Sequence, residues 1–251
     1  MLDGARVFTK IHAKNDVVRS DRDNERERVS GRPLRLMVYD RTCVKRGIGL
    51  SSAWSAGAIL YRGLGRFDRS FGASSWQEAL EWLATFEASR PIEQIQYWGH
   101  GRWGRVLVGS DVLDAAALRG DHPLHPQLRA IRERIVPNGR SLLWLRTCEA
   151  FGARAGIDFA QALADFFGAN VAGHTFIIGA LQSGLHGLAP GCRPAWSPSE
   201  GLAEGTPERP ERALWSRPEH PRTITCLSNA VPRAWLEEDS ARAVTSTSNQ
   251  T

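Results

Sequence analysis

Apolar and polar positions change their period several times along this chain. Leu34 to Asp40, LRLMVYD, is a short apolar run of the kind that forms a buried strand. Ser51 to Tyr61, SSAWSAGAILY, fits a helix and a strand equally well. Ser75 and Glu78 stand at capping-box spacing, and Ala79, Leu80, Leu83 and Phe86 make an apolar stripe. A helix is therefore predicted over 75–89, closed by Pro91. IEQIQYW reads as a strand running into Gly99-His100-Gly101, and RVLVG as a short strand after a turn at 102–104. Helices are expected at 114–119 and 126–135, with a turn at Asn138-Gly139. SLLWLRT is a strongly apolar strand ending at Cys148. An amphipathic helix, Gly156 to Phe167, is stopped by Gly168, and NVAGHTFIIG is another strand. Strands that alternate with helices predict an α/β layered fold, with a mostly parallel central sheet flanked by helices. Beyond Leu181 the pattern lapses, and seven of the 13 prolines fall between Pro190 and Pro221. A Pro/Gly-rich loop region at about 182–222 is expected, of the kind that forms lids or binding loops. TITCLSNAV reads as a final edge strand.

The flanks differ from the middle. Residues 15–33 carry ten charges in 19 positions, too polar to offset their ordering entropy by burial. We therefore expect a mobile charged leader over 1–33, a single α/β domain over 34–236, and a disordered tail over 237–251. No apolar run approaches the ~20 residues that span a bilayer, and the N-terminus lacks the apolar stretch of a secretory signal. A cytoplasmic protein without membrane contact follows as the expectation. The four cysteines form neither a disulfide framework nor any CxxC spacing for zinc. Of 32 basic residues only Lys10, Lys14 and Lys45 are lysine, a bias that GC-rich coding accounts for. The formal charge of +5 is scattered among acidic residues, so no specific nucleic-acid partner is expected.

Ligands of open α/β sheets gather at the carboxyl ends of the strands. Two predicted strands deliver reactive side chains there: His100 from QIQYWGHG and Cys148 from LLWLRTCE. A thiol beside an imidazole is a nucleophile–base pair, which can attack a carbonyl. Gly101 lets a substrate approach the backbone closely, and its N–H together with that of Cys148 could hold the oxyanion. Strand alternation sets Trp98 with His100, and Trp144 and Arg146 with Cys148, so Trp98, Trp103 and Arg146 are candidate substrate contacts. Glu149, His174 and His186 complete that set, His174 as a reserve base and His186 on a loop that could close over the site. Each has a plainer role: a buried small hydrophobe for Cys148, core for the tryptophans, an ion pair for Arg146 with Glu149, and loop for His186. His122 and His125 have metal-binding spacing but no third ligand. Cysteine–histidine chemistry needs no metal and no organic cofactor.

The same residues resemble a known group. A strand ending in His-Gly, followed about 50 residues later by a strand ending in Cys, is the arrangement of the caspase–legumain–gingipain clan of cysteine peptidases. YWGHGRWGRVLVGSDVLDAAAL and LRTCEAFGARAGIDFAQALADFFGANVAG look like an uncharacterised caspase-like domain of large bacterial surface proteins. The resemblance covers roughly Leu34 to Gly179, with Thr147 standing where many members have a small residue before Cys. It implies a caspase-like fold and hydrolysis of peptide or protein substrates by a Cys148–His100 dyad through an acyl-enzyme. Two alternatives stand beside it. One is an inactive module of the same fold that binds a protein partner through the Pro/Gly-rich loop. The other is a metal-assisted hydrolase using His174 or the His122/His125 pair.

Overall fold

A computed structural model describes residues 31–44, 49–137 and 139–239. The predicted leader up to residue 30 and the predicted tail from residue 240 lie outside the described residues. The elements, in chain order, begin with β1 (Leu34–Asp40), α1 (Leu50–Gly63), β2 (Arg69–Ala73), α2 (Trp76–Thr85) and β3 (Ile92–Trp98). A three-stranded meander follows: β4 (His100–Arg102), β5 (Arg105–Val108) and β6 (Asp111–Asp114). Next come α3 (His125–Arg132), β7 (Leu142–Arg146), α4 (Ala153–Phe167) and β8 (Asn170–His174). The last third holds β9 (Leu181–Gln182), β10 (Leu185–Leu188), β11 (Leu202–Gly205), β12 (Pro210–Ala213) and β13 (Ile224–Thr225).

The central sheet has six strands in the order β10-β8-β7-β3-β1-β2. Five run parallel, and β10 joins antiparallel to β8. The inner strands are apolar along most of their length because helices cover both faces. Side-chain alternation splits each strand between two layers. Leu36, Val38, Ile95, Tyr97, Leu143 and Leu145 pack with α2, α3 and α4 in the main core. Met37 and Trp98 face the other way, onto Ala58 and Tyr61 of α1. Trp144 and Ala172 share that second face with Leu185, Val231 and Trp235.

Several expectations need correction. The ambiguous Ser51–Tyr61 stretch is helix α1, its buried stripe of Ser51, Ala58 and Tyr61 lying on the sheet. The capping residue of α2 is Ser75, as predicted, accepting the Glu78 N–H at 3.1 Å. The carboxylate of Glu78, however, reaches back to Ser74 rather than Ser75. Strand β2 went unpredicted, since RSFGA has little apolar character and becomes a strand only by pairing with β1. The expected helix at 114–119 is strand β6 and then a 3-10 turn, Ala115–Leu118, started by Asp114 accepting the Ala116 N–H. Nor is 182–222 a structureless loop: β10 is fully buried, and β11 and β12 make a hairpin. Strand β13 pairs with β9, outside the main sheet. Residues 233–239 are helical and Asp239 is 1 % exposed, so the ordered fold runs past the expected boundary at 236. Among the described residues, no helix is long and apolar enough to cross a membrane.

Candidate functional site at the carboxyl edge of the sheet

Strands β3 and β7 are parallel neighbours, with Trp98 opposite Arg146. His100 and Cys148 each lie two residues beyond that pair, so the topology sets the two reactive residues on adjacent strand ends. The backbones meet closely. A Cβ on Gly101 would lie 2.4 Å from Thr147 Oγ1 and 2.6 Å from the Cys148 carbonyl oxygen, so only glycine fits there without displacing one of them. His100 and Cys148 line one cavity of about 460 Å³, together with Trp54, Trp98, Arg146 and Ile178.

The closest partner of the imidazole is a residue outside the predicted set. His100 Nε2 lies 3.2 Å from Cys43 Sγ, and Trp54 of α1 meets the same ring edge-on at 5.4 Å between centroids. Cys43 follows β1, which borders β3 on the side opposite β7. The imidazole thus stands at the end of the middle strand of three, with a cysteine beyond the strand on each side. Both cysteines close an Arg-Thr-Cys tripeptide, Arg41 to Cys43 and Arg146 to Cys148. That repeat was the available signal, but the adjacency of β1 to β3 is not written in the sequence.

Cys148 is oriented differently. Its sulfur faces the Ile178 carbonyl at 3.9 Å. Burial pushes its thiol up to about 11, against smaller opposing help from that carbonyl contact and from its own amide. Glu149, next along, is also lifted by burial, to about 7, with Arg102 pulling the other way.

Arg146 lines the cavity but is not free to bind substrate. It is 4 % exposed, and all five of its N–H groups have acceptors. Nε and Nη2 donate to Gln182 Oε1 at 3.1 and 2.7 Å, and Nη1 donates to Tyr61 Oη at 3.3 Å and the Ser228 carbonyl at 3.1 Å. Nη2 also donates to the Cys226 carbonyl at 3.0 Å. The guanidinium stacks over Trp144 and Trp98, at 4.5 and 4.9 Å. It braces the cavity wall, and the plainer alternative for it, an ion pair with Glu149, does not form. Trp144 is fully buried in the core, while Trp98 lies between core and cavity.

Three other candidates sit away from the cavity. Trp103 packs with Ala153 and Ala213, under the Arg102 guanidinium. His174 is wholly buried with Nδ1 on the Ser183 carbonyl at 3.1 Å, and burial drives its pKa down to about 3, so it serves as no base near neutral pH. His186 is no loop residue. It lies on β10, stacked on Trp196 and held by Glu200 at 2.8 Å and Asp239 at 3.4 Å. His125 Nδ1 lies 2.9 Å from the Leu118 carbonyl, and His122 Nδ1 accepts the Leu124 N–H. Among the described residues, no three His, Cys, Asp or Glu side chains converge in a way that could hold a metal ion.

No curated protein and no solved structure matches the chain. Residues 71–187, from β2 through most of β10 and including both His100 and Cys148, match the family described as a domain of unknown function, DUF4347.

Proposed function

We propose that the chain is a caspase-like cysteine peptidase, with Cys148 as nucleophile and His100 as base. The observation that supports it is the placement of both side chains two residues past a paired position on adjacent parallel strands, lining one cavity. His100 takes the thiol proton as Cys148 Sγ attacks the peptide carbonyl carbon. The oxyanion is held by the N–H groups of Gly101 and Cys148, and the leaving amine takes the proton from the imidazolium. Water then hydrolyses the thioester, with His100 as base again. The imidazole must turn from Cys43 towards Cys148 on substrate binding, as loosely set catalytic hydrogen bonds of unliganded sites do. Trp98 and Trp54 offer apolar walls to the substrate. A cytoplasmic setting, where thiols stay reduced, suits the four unpaired cysteines.

One observation favours a second reading, a non-catalytic module that binds a protein partner: a thiol held at about 11 is a poor nucleophile at neutral pH. The two separate on a fluorogenic peptide panel with Arg, Lys, Asp or Leu before the cleavage point. A peptidase cleaves at least one substrate, and Cys148→Ala and His100→Ala each lower the rate by at least about 10²-fold. Cleavage that survives Cys148→Ala, or no cleavage of any substrate, removes the dyad and leaves the binding module.

A further inference from the structure

The imidazole at the centre of the site faces a thiol that the peptidase reaction does not use. Cys43 Sγ lies 3.2 Å from His100 Nε2, whereas Cys148 Sγ contacts the Ile178 backbone carbonyl instead. In the His100 tautomer protonated on Nδ1, Nε2 accepts from the Cys43 thiol. The backbone around Cys43 is fixed at several points. The Thr42 N–H and hydroxyl both donate to Asp40 Oδ1, at 2.7 and 2.6 Å, and the second oxygen of that buried carboxylate accepts the Gly109 N–H. The Cys43 carbonyl accepts the Ser51 N–H in the first turn of α1, and Gly49 packs so closely on it that a Cβ there would fall 1.9 Å from the oxygen. Trp54 holds the ring from the helix side. The backbone on both strands thus sets the sulfur beside the imidazole, and Cys43 is only half-buried.

We propose that Cys43 is a peroxide-reactive modification site, with His100 as its proton acceptor. The thiol proton passes to His100 Nε2 as the sulfur lone pair attacks the distal oxygen of a hydroperoxide. A sulfur–oxygen bond forms and the oxygen–oxygen bond breaks. The departing oxygen takes up the proton from the imidazolium and leaves as water or an alcohol. The sulfur is oxidised by two electrons to a sulfenic acid, and the peroxide is reduced by the same two. This reaction is independent of peptide hydrolysis and stands whether or not Cys148 is a nucleophile. Cys192 and Cys226 serve as internal references, because among the described residues neither sulfur is hydrogen-bonded to an imidazole.

The test treats the reduced, full chain with hydrogen peroxide, traps sulfenic acid with dimedone, and measures adduct at each cysteine by mass spectrometry. Cys43 is expected to be trapped about tenfold faster than Cys192 and Cys226, a comparison that needs no variant. His100→Ala and His100→Gln, each checked for folding by circular dichroism, are expected to bring Cys43 down to the reference rate. Trapping at Cys43 no faster than at the references, or a fast rate indifferent to a folded His100 variant, overturns the proposal. Cys148→Ala separates the two readings, since it should abolish peptide cleavage while leaving the Cys43 rate unchanged.

Discussion

Glu149 follows Cys148 with φ at 29°, a backbone region that few residues other than glycine adopt. Its Oε2 is buried without a hydrogen-bond partner, and burial lifts its pKa from 4.5 to about 7. The consequence for stability has a definite sign. Between about pH 4.5 and 7 the unfolded chain has lost the Glu149 proton while the folded chain keeps it, so this residue lowers stability as pH rises through that window. The full effect is on the order of 3 kcal/mol at pH 8. Glu149→Gln should therefore gain stability over the wild type as pH rises from 4.5 to 7, with little difference at pH 4. Urea titrations of both proteins across that range read it directly; a constant difference at every pH would mean that the carboxyl ionises as freely folded as unfolded. At this scale the sequence was a partial guide. His100 and Cys148 were legible because each ends an apolar run, a purely local signal. Cys43 was not, because its run stops at Asp40 and its partner is 57 residues away.

At the scale of elements, the last third of the domain is tied down by charge. Burial alone would keep His186 neutral, but its hydrogen bonds to Asp239 and Glu200 outweigh that and hold its pKa above the usual histidine value. Those two carboxylates, in spite of burial, are held below their usual range by the same contacts. Arg222 adds a 2.6 Å bond to Asp239, and Leu236 packs against Gly187 of β10. The helical residues 233–239 are thereby fastened to the sheet edge. Asp239→Ala leaves His186 and Arg222 facing an emptied buried site, and should cost about 3 kcal/mol in denaturant unfolding. A loss below about 0.5 kcal/mol, the range of ordinary surface substitutions, would mean that this helix is not held by the cluster. The strong strands and the α2 and α4 helices were readable from periodicity. Strand β10 was hidden in a Pro/Gly-rich stretch, since four residues, LHGL, carry too short a pattern to distinguish from loop. Strand β2 was hidden for the complementary reason, because edge pairing needs backbone donors and acceptors more than apolar side chains.

For the molecule as a whole, Arg146 is the point where separate parts meet. It joins β7 to α1 through Tyr61, to β9 through Gln182, and to residues 226–228 through their carbonyls. Arg146→Met keeps much of the apolar stem but strands Gln182 and two carbonyls, at a cost of roughly 3 kcal/mol. Limited proteolysis should then cut faster near 222–230, and Arg146→Lys should rescue little, since one ammonium cannot replace five forked donors. An unaltered cleavage pattern and midpoint in Arg146→Met would show that the cavity wall stands without it. The sequence by itself determined the α/β class, the apolar central strands and the delivery of His100 and Cys148 to strand ends. These depend on the period of side chains within one segment. Only the tertiary structure decided that β1 and β7 both flank β3, that Cys43 reaches His100, that Arg146 is a brace, and that His174 and His186 are buried away from the cavity. Strand order is a choice among contacts far apart in the chain, where each segment's partner is selected by the packing of all the others.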